Sequence, residues 1–75
     1  MKDLLKYLAT SLVDYPEKVN IEEKETDKTL IFSLHVDEKD MGKIIGKQGK
    51  NAQAIRAIMK AAGSKLDKKV IVDII

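Results

Sequence analysis

Between Thr29 and Val36, the apolar residues Leu30, Phe32, Leu34 and Val36 fall at every second position, the period of a β-strand with one covered face. Such a strand constrains the whole chain, because it needs neighbours for its backbone groups and a second layer for its apolar side. The segment Lys69–Ile75 repeats the pattern with Val70, Val72 and Ile74. Val19 and Ile21 predict a shorter strand over Lys18–Lys24, joined to the first by a polar turn at Glu25–Lys28.

Cover for these strands has to come from helices. From Lys2 to Val13, the residues Leu4, Leu5, Leu8 and Leu12 fall within an arc of about 100°. Asp3 suits the positive end of that helix, and Pro16 predicts its stop near Asp14. A short helix is predicted over Met41–Ile45, with the Asp40 carboxylate capping its first turn. A longer one over Lys50–Ala62 closes with Gly63 just past its end. Ala54, Ile55, Ile58, Met59 and Ala62 share its apolar face, with Lys50, Gln53, Arg56 and Lys60 nearly opposite. The predicted architecture is a single α+β domain over residues 1–75, in the order α-β-β-α-α-β. Its three-stranded sheet carries all three helices on one face.

The chain has 75 residues and no cysteine, so neither a disulfide nor a thiolate-bound metal staples the fold. Below roughly 70–80 residues, stability then rests on a compact core or a partner. No apolar run exceeds three residues, far short of the roughly 18 that cross a bilayer. The start, Met1-Lys2-Asp3-Leu4-Leu5-Lys6, is too charged for a secretory signal. A cytoplasmic location is the expectation.

The charges divide the chain. Residues 1–38 hold five basic and nine acidic side chains, whereas residues 39–75 hold nine basic and three acidic. Met41–Leu66 carries Lys43, Lys47, Lys50, Arg56, Lys60 and Lys65 without one Asp or Glu. Such asymmetry suits either a solvated surface or a polyanion partner for the second half. Catalysis is not expected: the lone His35 has no evident partner, and the acids lie away from the basic segment. That same isolation argues against a metal, and His35 is expected at the surface.

The informative stretch is Gly42-Lys43-Ile44-Ile45-Gly46-Lys47-Gln48-Gly49-Lys50, set between the two predicted helices. Gly46 and Gly49 lack Cβ atoms, so a ligand backbone can come close and the chain can adopt positive φ. The free amides and positive end of the next helix face the same place. Lys43, Lys47 and Lys50 surround the turn with cations. This suits a sugar-phosphate backbone. Nucleotide cofactors are not indicated: Gly42 and Gly46 are separated by three residues and Lys47 is followed by Gln48, so neither the Walker A spacing nor Gly-x-Gly-x-x-Gly is present.

Ile44-Ile45-Gly46-Lys47-Gln48-Gly49 resembles the signature of the KH domain, whose Gly-x-x-Gly loop clamps about four nucleotides of single-stranded RNA. The element order is similar to the type II, prokaryotic arrangement, and the likeness to small stand-alone bacterial KH proteins spans the chain. The resemblance implies an RNA binder of the RNA-chaperone type, acting in the cytoplasm. Its partners would be single-stranded RNA and, as a homodimer or heterodimer, a second KH protein. A link to cell shape and division is also implied.

Residue by residue, the resemblance implies that Gly46, Lys47, Gln48 and Gly49 hold the RNA backbone; from the charge pattern, Lys43, Lys50 and Arg56 are expected as supporting cations. Ile44 and Ile45 precede the loop, and Ile45 would floor an apolar groove completed by Ile55 and the strand near Val70–Val72. Two departures stand out. Ala52 occupies a position where many KH domains have a larger aliphatic residue, and the Gly63–Lys68 connection is short. Tyr7, Tyr15 and Phe32 are the only aromatics and lie outside the motif. Base stacking, worth roughly 1–3 kcal/mol per base, is therefore missing, and weak, loosely specific binding is expected. The alternative is a KH fold used mainly for dimerisation.

Overall fold

A computed structural model describes residues Met1–Ile75. Helix α1 spans Lys2–Leu12, α2 Met41–Ile45 and α3 Lys50–Ser64. Strands β1, β2 and β3 span Asn20–Glu25, Thr29–His35 and Lys69–Ile74. Short 3₁₀ turns occupy Pro16–Lys18, Glu38–Asp40 and Lys47–Gly49. The sheet order is β1-β2-β3. β1 runs antiparallel to β2, while β2 and β3 are parallel, with Leu30 beside Val70 and Phe32 beside Val72. A parallel pair needs a crossover, and α2 and α3 supply it.

The core lies where the period-two strand meets the helical stripes. Leu30, Phe32 and Leu34 of β2 are buried against Leu5 and Ala9 of α1, Ile44 of α2, and Ile55 and Met59 of α3. β1 contributes only Ile21, its other side chains being exposed and mostly charged. Charge of that kind protects an edge strand from pairing with other chains.

Three local expectations change. The inward stripe of α3 is Ala52, Ile55, Met59 and Gly63, so the helix is rotated relative to its simple apolar face. Ile58 is 43% exposed, and Ala54 also faces out. Gly63 does not end the helix, which continues to Ser64. A Cβ on Gly63 would lie 2.2 Å from Val70 Cγ2, so glycine is needed for the close approach of α3 to β3. The left-handed residue of that connection is Asp67, at φ 55°.

Asp40 makes no side-chain cap to α2. It is 1% exposed, and its carboxylate accepts from the backbone N–H groups of Asp14 at 3.1 Å and Tyr15 at 3.0 Å. α1 ends at Leu12, with Val13 extended, two residues short of the predicted stop near Asp14, so those amides have no helical partners. Asp40 satisfies them across 25 residues of sequence, joining the end of α1 to the start of α2. No helix is long and apolar enough to cross a membrane.

Candidate functional site

The turn from Gly46 to Gly49 is built from positive φ angles. Gly46 sits at φ 75°, ψ 175°, Gln48 at φ 57°, ψ 27° and Gly49 at φ 75°, ψ 12°. The Gly46 conformation is essentially reserved for glycine, and a left-handed Gln is uncommon. Gly46 N–H donates to the Gly42 carbonyl and Gly49 N–H to the Gly46 carbonyl. The chain thus leaves α2, turns once and enters α3 with Lys47, Gln48 and Lys50 exposed.

The two glycines do different jobs. A Cβ on Gly49 would meet nothing within 4 Å, so this side is open to an approaching group. A Cβ on Gly46 would lie 2.6 Å from Asn51 Cγ and 2.9 Å from Asn51 N. Gly46 is therefore glycine for internal packing, not ligand approach. No side chain caps the N-terminus of α3, whose positive end adds to the charges of Lys47 and Lys50.

The structure separates the remaining candidates. Ile44 is fully buried in the core, so in this structure it offers no surface to a ligand. Ile45 is 41% exposed and offers an apolar surface beside the loop. Lys43 is already engaged: its ammonium pairs with Asp14 and lies 3.9 Å from Asp40 Oδ1. The Asp14 hydrogen bond, with both carboxylates' charges, holds the Lys43 pKa above the usual 10.5, against a smaller opposing desolvation. Its ammonium is thus engaged by Asp14, in a pair exposed on both sides. Val72 is buried in the core, whereas Ile55, also buried, floors a cleft between α1 and α3 beside Leu8, Ala54 and Ile58 and not a groove shared with Val72. Ala52 is buried too, its small side chain fitting beneath the helix.

Arg56 reaches across α3 and donates from Nε to the Val72 carbonyl at 3.3 Å. Lys69 N–H donates to Lys28 and Ile75 N–H to Leu34. By strand alternation, Val70, Val72 and Ile74 turn their N–H and C=O groups to the open edge of the sheet. One turn after Arg56, Lys60 lines a hollow with Ser64, Asp67, Lys68, Lys69 and Val70. Lys68 is paired with Glu25, leaving Lys60 and Lys69 as its unpaired cations. Exposed cations thus occur on the glycine turn, along α3 and at the start of β3: Lys47, Lys50, Arg56, Lys60 and Lys69. Asn51, Lys68 and Lys69 escaped the sequence reading: the lysines stand outside the basic run, and the Asn51 contact depends on how the turn folds back.

A family model described as the KhpA/KhpB KH domain matches residues 2–74. Proteins named RNA-binding protein KhpA are similar along their length. That of Clostridium perfringens is 51% identical over 75 residues, covering 100% of both chains. That of Listeria monocytogenes is 48% identical, covering 100% of this chain and 99% of the relative. The Aquifex aeolicus protein is 43% identical, with coverages of 100% and 95%. No solved structure matches the chain significantly.

Proposed function

The chain belongs to the KhpA/KhpB family of KH domains, and from that premise we propose that it binds single-stranded RNA by its sugar-phosphate backbone at Gly46–Gly49. The observation that carries the reading is the open side of Gly49, flanked by exposed Lys47 and Lys50 at the uncapped start of α3. A phosphate there meets a helix N-terminus and two cations without a side chain in the way. Ile45 supplies an apolar rest for a base, and the strand continues past Arg56 toward Lys60 and Lys69. Phe32 is fully buried, and neither tyrosine belongs to the Gly46–Gly49 turn, so the turn itself supplies no ring to stack on bases. Binding is weak and loosely specific, as suits an RNA-chaperone role in the cytoplasm.

A second surface favours a partner protein. Tyr7 is 70% and Ile58 43% exposed. With Leu8, Leu12 and Ala54 they line an apolar cleft between α1 and α3. A second copy, or a KhpB-like KH protein, covers this cleft, whose lining reaches Asn51 at the start of α3. The test is a fluorescence titration with a single-stranded oligonucleotide and a duplex of equal length, run beside light scattering. Single-strand preference with salt-sensitive affinity supports the clamp. Equal affinity for the duplex, or no salt dependence, overturns it.

A further inference from the structure

Asn51 is the one polar side chain whose hydrogen bond links α3 back to α2 across the glycine turn. Its Nδ2 donates to the carbonyl of Lys43 at 2.8 Å, tying the first turn of α3 back to the last turn of α2. Its Cβ and Cγ fill the space that a side chain on Gly46 would take, 2.8 and 2.6 Å from an ideal Cβ. The bracket therefore spans the three residues at positive φ that present Lys47 and Gln48. Without it, α2 and α3 are joined at this point only by the turn itself. Such a turn holds a left-handed Gln that the surrounding structure has to over-determine.

We infer that Asn51 is a positioning residue for the RNA-binding turn: its amide holds the ends of α2 and α3 together and fixes the direction in which Lys47 and Gln48 face the ligand. This rests on the clamp reading above. Asn51 carries no charge and is only half-exposed, so its effect on RNA is through order in the turn. Removing it weakens binding without removing a phosphate contact. Lys47, by contrast, acts on the phosphate itself.

The test separates these roles. Asn51→Ala should lower affinity for a single-stranded oligonucleotide about 3- to 10-fold, the fold-change that one neutral hydrogen bond supports. The slope of log K against log salt should stay unchanged. Lys47→Ala should lower affinity and also reduce that slope by about 0.7, the loss of one single-strand phosphate contact. In the RNA-free protein, amide hydrogen exchange at Gly46–Lys50 should accelerate in Asn51→Ala while Phe32 and Leu34 stay protected. Asn51→Asp keeps the volume against Gly46 and suits a first helical turn, so it stays folded even if the alanine variant does not. It replaces the donor with an acceptor facing the Lys43 carbonyl and should show the same accelerated exchange. Unchanged exchange in a folded Asn51 variant overturns the inference whether or not RNA binds. So does a reduced salt slope in Asn51→Ala. A wild-type protein that fails to bind RNA overturns the clamp reading instead, leaving the exchange measurement to decide the role of Asn51 in ordering the turn.

Discussion

Replacing Gly46 by alanine should destabilise the fold far more than the same change at Gly49. At Gly46 the new methyl meets two penalties. The backbone at φ 75°, ψ 175° lies in a region costing about 1–3 kcal/mol for a residue with a side chain. The Cβ also meets Asn51 Cγ at 2.6 Å and its backbone nitrogen at 2.9 Å, and overpacking of that kind costs about 1–3 kcal/mol. The sum, about 2–6 kcal/mol, is a large share of the roughly 4–11 kcal/mol that stabilises a chain of this length. Gly49 sits at φ 75°, ψ 12° with open space beyond it, so Gly49→Ala costs only the left-handed term, about 1–2 kcal/mol. At roughly 4–8 °C per kcal/mol for a domain of this size, calorimetry should show Gly46→Ala melting at least 8 °C below wild type, or failing to fold (~2 kcal/mol at the lower bound). Gly49→Ala should fold, lose less stability than Gly46→Ala and bind RNA poorly, because its methyl occupies the open side. Equal melting temperatures for the two variants would refute the division of labour between the glycines.

Met59→Ala should cost about 2–5 kcal/mol by opening a cavity against β2, whereas Ile58→Asp should leave the monomer folded and lower its self- or partner association; denaturant melts and light scattering check both. Asp40→Asn should cost about 1–3 kcal/mol, because one of the amides at Asp14 and Tyr15 loses its acceptor, read as a lower midpoint in urea. Lys43→Ala should leave the RNA salt slope nearly unchanged, its ammonium being paired with Asp14, while Lys47→Ala should reduce it. The Lys43–Asp14 pair stabilises while Lys43 is protonated. Its pKa is raised, so this contribution is intact below about pH 10.5 and fades only as pH climbs through the higher folded value; melting curves between pH 7 and 9 should therefore show no loss from this pair.

Regular periodicity made most of the fold legible. Leu30, Phe32 and Leu34 announced β2, and Leu5 and Ile55 lie inside as their helical spacing requires. What escaped was set by tertiary approach. Gly63 looks like a helix terminator in sequence, yet Val70 is what excludes a side chain there. Asp40 looks like a local cap, yet its partners are amides 25 and 26 residues earlier. Ile58 has the spacing of a core residue, but α3 is turned toward Ala52 and Gly63 instead. At the site, the glycines and lysines marked the turn. Which lysine is free depended on Asp14, and how the turn is held depended on Asn51, neither of which spacing reveals.

The clamp itself is tested most directly by titrating single-stranded RNA into the Lys47→Asp, Gln48→Asp double variant at low and physiological salt. Both side chains are exposed, so the fold should survive, with a stability change of about 1 kcal/mol or less. The local charge changes by three units toward negative at the turn where the proposed clamp would hold a phosphate. At 4 Å and a surface dielectric near 20, even one like-charge pair repels by about 4 kcal/mol before screening. The expected result is a folded protein with no measurable RNA binding. A folded double variant that binds RNA as wild type does would contradict it.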